Sequence, residues 1–184
     1  MKKTALFLFL SSLFVACDSD STQVVKVDHK YSLEIPSSMS ENNELNEDAS
    51  LGYQNLFQEL YVIVIDENKN EYYDVIKENG LDEKYTLNLE GYSNLILKNM
   101  TSTMKDPVIS DPDLTKINGM DARTVTIMGT VDGLDIYWVM SFIEGRKQFY
   151  QIMSWTLASK KEAHKAKLEK MVRSLKELDR SVTK

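Results

Sequence analysis

Two histidines, one cysteine and 28 acidic residues are the side chains from which this chain of 184 residues could build a reactive centre. His29 lies in the polar triplet Asp28-His29-Lys30, and His164 lies in the lysine-rich run KKEAHKAK. Neither belongs to an HExxH pair or another paired spacing, so both read as surface or core-edge residues. No GxSxG, P-loop or GxGxxG sequence is present, which removes the common nucleophile-elbow and phosphate-cradle readings. Acidic residues gather twice, as Glu41, Glu44, Glu47 and Asp48 and again as Asp106, Asp111 and Asp113. Calcium-like cations take oxygen ligands, but neither run has EF-hand spacing. Both read as hydrated loops, with Asp111-Pro112-Asp113 supplying turn chemistry. No metal site and no cofactor are expected.

One polar set could still converge. Asp121, Arg123, Asp135 and Glu144 would furnish an acid–base pocket if the fold brought them together. Strand alternation puts Asp121 and Arg123 on one face, an arrangement that more often serves as a charge pair across neighbouring strands. Met100 and Met104 resemble a soft-metal pair only in composition; at helical spacing on an apolar face they read as core. Trp138, Trp155 and Tyr150 are the aromatics that a binding surface would expose, and core packing is the favoured expectation for them.

The elements that must carry these residues follow from periodicity. "QVVKVDHKYSLEIP" alternates apolar and polar residues and predicts two strands around the turn at 28–30. "SSMSENNELNEDAS" has little to bury and predicts a surface loop. Leu60 to Ile65 is nearly continuous and β-branched, which suits a central strand covered on both faces. "KNEYYDVIKEN" predicts a helix with Tyr72, Val75 and Ile76 on one side and a stop at Gly80. "LNLEGYSNLILKNMTSTM" predicts a second, with Tyr92, Leu95, Ile96, Asn99, Met100 and Met104 at three- and four-residue spacing. Asp132-Gly133 is a strong hairpin signal and Gly145 marks another turn. Residues 122–131, 134–144 and 148–157 therefore read as an antiparallel meander. In the last segment Ser159 and Glu162 suggest a capping box, and Leu168, Met171, Val172, Leu175 and Leu178 form one apolar stripe.

The amino terminus carries a different message. Lys2 and Lys3 precede an apolar run from Ala5 to Ala16 that only Ser11 and Ser12 interrupt. Crossing the hydrocarbon core takes about 20 apolar residues, so the run is too short to span. A positive start and a short apolar run form the pattern of a secretory signal. Ala16 suits the last position before an ordinary cleavage site, but the bulky Phe14 does not suit the position two residues earlier. Leu13-Phe14-Val15-Ala16-Cys17 instead resembles the lipobox of bacterial lipoproteins, although Phe14 stands where Leu, Val or Ile is usual. The resemblance implies that Cys17 is lipidated and becomes the first residue of the mature protein. Anchoring of this kind becomes stable once more than one acyl chain is present. It would also consume the only thiol, leaving no disulfide, thiolate site or cysteine nucleophile.

The expected organisation is a signal peptide at 1–16, a lipidated tether at 17–23 and a single domain at 24–180. Residues 1–16 hold two lysines and no acids, so their removal moves the net charge from −6 to −8. A chain of that sign repels phosphate backbones, which makes nucleic acid an unsuitable partner. Asp18 and Asp20 resemble the acidic sorting signals of some surface-exported lipoproteins, and elsewhere an aspartate after the cysteine marks inner-membrane retention; a solvated linker is the favoured reading over either. The expected address is the bacterial cell envelope, lipid-anchored, with the outer membrane as the expected site.

The strands ending in "YSLEIP", the helical middle, "KINGMDARTV", the meander "GTVDGLDIYWVMSFIEGRKQFYQIMSW" and the final "KLEKMVRSLKEL" together resemble the PsbP-like fold. That fold is shared by the extrinsic oxygen-evolving subunit of photosystem II, a nuclear-import factor that binds the GTPase Ran, and DcrB-type bacterial lipoproteins. The resemblance implies an α+β fold, an antiparallel sheet flanked by helices on both faces, in an α/β/α sandwich. Fold alone does not carry function. The expected role is a non-enzymatic binding or accessory module for a protein partner or small ligand, with the membrane as a second partner through the anchor. The alternative is an envelope enzyme using the carboxylate/Arg pocket. The intact mass of the protein taken from its own membranes is expected to start at Cys17 and to include acyl chains; an unmodified mass would overturn the lipoprotein expectation.

Overall fold

A computed structural model describes residues 21–27 and 29–178. Cys17, Asp18, Asp20 and the turn residue Asp28 lie outside the described residues, as does the end of the chain beyond Leu178. Strands β1 (Thr22–Val27) and β2 (Tyr31–Pro36) pair antiparallel, with Val27 opposite Tyr31. His29 takes a positive φ of 59° in their turn. β1 starts at Thr22, two residues before the expected start of the domain.

The main sheet is built from β3 (Ser40–Glu41), β4 (Leu51–Asn55), β5 (Leu60–Asn68), β6 (Lys105–Ile109), β7 (Asp113–Ile117), β8 (Met120–Val131), β9 (Leu134–Glu144) and β10 (Gln148–Leu157). Its order is β3-β4-β5-β10-β9-β8-β6, with β7 also paired to β8. The meander has the expected boundaries to within two residues. Asp132 and Gly133 both have positive φ, the conformation that a two-residue hairpin between twisted strands requires.

Period-two alternation sends two sets of side chains to opposite faces. Leu60, Val62, Val64, Val139, Ile143, Tyr150 and Ile152 face helix α3 (Lys161–Val172) and the inner residues Tyr31, Leu33 and Ile35 of β2. Val125, Ile127, Trp138, Met140, Phe142 and Phe149 face α1 (Lys69–Glu78) and α2 (Leu89–Thr101). The chain therefore has helices on both faces of an antiparallel sheet. Tyr92 is the keystone of the second core: it stacks on Phe149 at 4.6 Å and meets Tyr72 edge-on at 5.2 Å. Its hydroxyl donates to Glu67.

Several local expectations change. The strand covered throughout on both faces is β9, where every residue from Tyr137 to Ile143 is buried. In β5, Tyr61 and Ile65 remain half-covered, although Ile63 between them on the same face is buried. Val75 and Asn99 point to solvent. The Ser159–Glu162 capping box does not form. Residues 158–160 make a 3-10 turn first, so α3 begins one residue late, with Lys160 at its cap and no side-chain hydrogen bond there. α3 also ends at Val172, short of the full apolar stripe. Ser174 Oγ bonds the Met171 carbonyl at 2.8 Å and accepts from the Glu34 amide at 2.9 Å, turning the chain onto β2. The next residues form β11 (Lys176–Glu177), a third strand beside β2. The polar loop after β2 contributes β3 and buries Met39.

Asn88 caps α2 by accepting from the Gly91 amide at 3.0 Å. A Cβ at Gly91 would sit 1.9 Å from the Thr86 carbonyl oxygen, a backbone atom that cannot move independently. Alanine ordinarily favours a helix by about 1 kcal/mol over glycine. Here Gly91→Ala is expected to lower stability by about 1–3 kcal/mol instead, read from the urea midpoint at unchanged slope.

Candidate functional site

The carboxylate/Arg set is only partly assembled. Asp121, Arg123 and Glu144 meet on a wide-mouthed depression of about 540 Å³ between β7, β8 and the start of α2. Asp121 and Glu144 are register partners across β8 and β9. Lys116 bonds Asp121 at 2.6 Å, Lys69 bonds Glu144 at 3.0 Å, and Arg123 lies 3.8 Å from Glu90. Asp135 pairs with Thr130, nine positions further along β8, which is about 30 Å away at strand rise. Its carboxylate accepts from the Thr130 hydroxyl at 2.6 Å. The four residues therefore do not converge. Three of them form neighbouring ion pairs, of which only Lys116–Asp121 joins adjacent strands; Glu144 pairs with Lys69 of α1 and Arg123 lies beside Glu90 of α2.

Other candidates are placed as follows. Trp138 and Tyr150 are core, whereas Trp155 is half-covered and stacks on Tyr61 at 5.2 Å. Burial and the adjoining Glu59 push the Tyr61 phenol up to about 12. His164 is partly covered on α3, and burial followed by the charge of Lys167 holds its imidazole below the usual range. Asp113 pairs with Arg173 at 2.7 Å. Among the described residues, no three His, Cys, Asp or Glu side chains approach closely enough to hold a metal ion. Met100 and Met104 pack against the second core.

A more enclosed cleft of about 470 Å³ lies where the β1–β2 turn, the β9–β10 turn and β11 meet. His29, Lys30, Arg146 and Lys147 line it, together with Tyr150 and Glu177. Behind the wall, Glu177 is held by three groups. Arg146 Nε donates to it at 2.7 Å, the Arg146 amide at 3.2 Å and the Tyr150 hydroxyl at 3.1 Å. Lys30 pairs with the nearly buried Asp66 at 2.8 Å. Tyr31 packs edge-on against Tyr150 at 5.4 Å and shares a 2.7 Å hydrogen bond with Ser50. Burial drives both tyrosines far above the ordinary phenol range, so they remain neutral hydrogen-bond donors. Gly145 permits the close turn: a Cβ there would lie 2.6 Å from the Tyr150 ring.

Sequence reasoning missed this cleft. Its cations sit in two turns, and Glu177 arrives only through the pairing of Lys176 with Ser32. The sole local signal was the "GRK" turn after β9. The arrangement suits holding an acidic group: basic side chains line the cleft, and its one carboxylate, Glu177, is already engaged by Arg146 and Tyr150.

No family model matches the chain, and no curated protein matches it in sequence. Solved structures do match. The cyanobacterial PsbP of Synechocystis sp. PCC 6803 superposes with a TM-score of 0.57 at 9% identity, over 89% of this chain and 96% of that one. The Ran-binding protein Mog1p of Saccharomyces cerevisiae gives 0.57 at 13% identity, over 90% and 100%. LpqN of Mycobacterium tuberculosis, described as involved in cell envelope biogenesis, gives 0.54 at 8% identity, over 86% and 91%. The chain has the PsbP-like α+β fold.

Tyr150→Phe deletes one donor to Glu177 and is expected to cost about 1–3 kcal/mol in urea unfolding. A double-mutant cycle with Glu177→Gln should show coupling of about 0.5 kcal/mol or more, and strict additivity would deny the network.

Proposed function

We propose that this chain is an envelope lipoprotein anchored through Cys17, with a tether preceding one PsbP-like domain that acts as a non-enzymatic binding or accessory module. The lipobox resemblance supports the anchor, and the outer membrane is the proposed site. The observation that carries the binding role is the cationic cleft. Glu177 is engaged by Arg146 and Tyr150 and Lys30 by Asp66, an arrangement suited to recognition more than to proton transfer. Relatives by fold point the same way: Mog1p is described as Ran-binding, and LpqN as involved in cell envelope biogenesis. The cleft also lies at the far end of β1 from Ser21. Six strand residues, about 20 Å, separate the two, so an anchored domain would present the cleft away from its tether. The partner proposed is a protein or small ligand offering a carboxylate or other acidic group.

The test is cross-linking in intact cells with a photoreactive residue at His29. A discrete adduct is expected, and Lys147→Glu should weaken it about tenfold, as loss of a charged contact in a binding site does. An adduct indifferent to Lys147→Glu would remove the cleft from the binding role.

A further inference from the structure

The turn between β4 and β5 exposes two large apolar side chains, Leu56 at 61% and Phe57 at 99%. This tip is well held. Asn55 Oδ1 accepts from the Gln58 amide at 3.0 Å, and the Tyr61 hydroxyl donates to Glu59 at 2.7 Å. Asn55 Nδ2 also donates to the Ser38 carbonyl at 2.9 Å. A fixed turn that presents phenylalanine to water has no internal reason for doing so.

Its position supplies the reason. The Ser37 amide, next to that Ser38 anchor point, donates to the Ser21 carbonyl at 2.8 Å. The tip and the start of β1 therefore share one edge of the domain. Ser21 lies four residues beyond Cys17, a reach of at most about 14 Å fully extended. The same edge carries the beginning of α3, where the Gln58 main chain lies beside His164. Ser21 and Thr22 share a groove of about 360 Å³ with Ala163, Ala166, Lys167 and Lys170. Between Ala158 and Lys170 the sequence has five lysines against two glutamates, within a chain of net charge −6. Apolar side chains projecting beside lysines are the composition of surfaces that lie in the headgroup region of anionic bilayers.

We propose that the Leu56–Phe57 tip and the lysine-rich start of α3 form a second, interfacial contact that seats the anchored domain on an anionic bilayer. The proposal rests on the lipoprotein reading, since a tether at Cys17 brings this edge to the membrane. It adds an orientation: Phe57 enters the headgroup–acyl boundary, and the cleft around Arg146 faces away from the bilayer. Among the described residues no helix is long and apolar enough to cross a membrane, so the contact would be peripheral.

The test separates the two readings. Residues 18–184, with a hexahistidine tag replacing residues 1–17, are held on vesicles of phosphatidylcholine, phosphatidylglycerol and a nickel-chelating lipid. This form contains no cysteine, so Leu56→Cys supplies a single site for an environment-sensitive fluorophore, and Lys147→Cys supplies the control. Brominated lipids are expected to quench the label at 56 about twofold or more and to leave the label at 147 unchanged. Phe57→Asp in the Leu56→Cys background should abolish most of that quenching. Equal, weak quenching at both positions would overturn the interfacial contact, including the case in which a protein partner covers the tip instead. Flotation of the full-length protein from native membranes, with and without Cys17→Ser, reports the anchor separately.

Discussion

Burial of β9 on both faces is the constraint on which the rest of the structure depends. Seven consecutive buried residues, Tyr137 to Ile143, alternate between two cores. A side chain of this kind stabilises by about 1.5–3 kcal/mol only when another element covers it. Neither core can therefore be omitted. α1 and α2 must close over Trp138, Met140 and Phe142, while α3 and the β1–β2 pair must close over Tyr137, Val139 and Ile143. The small polar residues Ser141 and Ser154 let α3 approach the sheet. Ser154 Oγ bonds both the Val139 carbonyl within the sheet and the Leu168 carbonyl of the helix, at 3.2 and 3.3 Å. A larger side chain there would bring apolar area but would push the helix outward.

The parts of the fold legible in the sequence are those in which each boundary carries its own chemistry. The meander could be read because Asp132-Gly133 and Gly145 mark its turns and alternation fills the strands between them. The α1 stop at Gly80 was legible for the same reason, since it takes a positive φ of 63°. β6 and the end of α3 fail that condition. β6 is exposed along its whole length and pairs only with β8, so no apolar period announces it. The end of α3 was hidden because Leu175 and Leu178 continue the helical spacing after the backbone has left the helix. What ends the helix is a set of hydrogen bonds from Ser174 to Glu34, residues remote in sequence.

The same distinction explains the site. Asp121, Arg123 and Glu144 could be placed together because strand register follows from alternation. Asp135 could not join them, since hairpin pairing sends it to the opposite end of β9. The cleft built on Glu177 depends on β11, a two-residue strand whose pairing is set by tertiary contact. Local patterns therefore put Asp121 and Arg123 on one face, while their ion-pair partners and the more enclosed polar site depended on tertiary contact.

One end of the domain projects an apolar tip and the other holds a polar cleft, and β1 connects them. At one end are Ser21, the Leu56–Phe57 tip and the start of α3; at the other are His29, Lys30, Arg146 and Lys147. β10 runs between the same poles, with Gln148 in the cleft and Trp155 opposite Tyr61 near the tip. Such polarity comes at little conformational cost, because rigid strands hold both ends and neither requires a hinge. At the tether end the most exposed apolar side chain, Phe57, sits in a turn. A longer exposed apolar strand at that edge would pair with other chains, whereas a two-residue tip offers side chains without a free ladder of amides and carbonyls. On this geometry, lipid contact and recognition of an acidic group would occupy opposite ends of one domain.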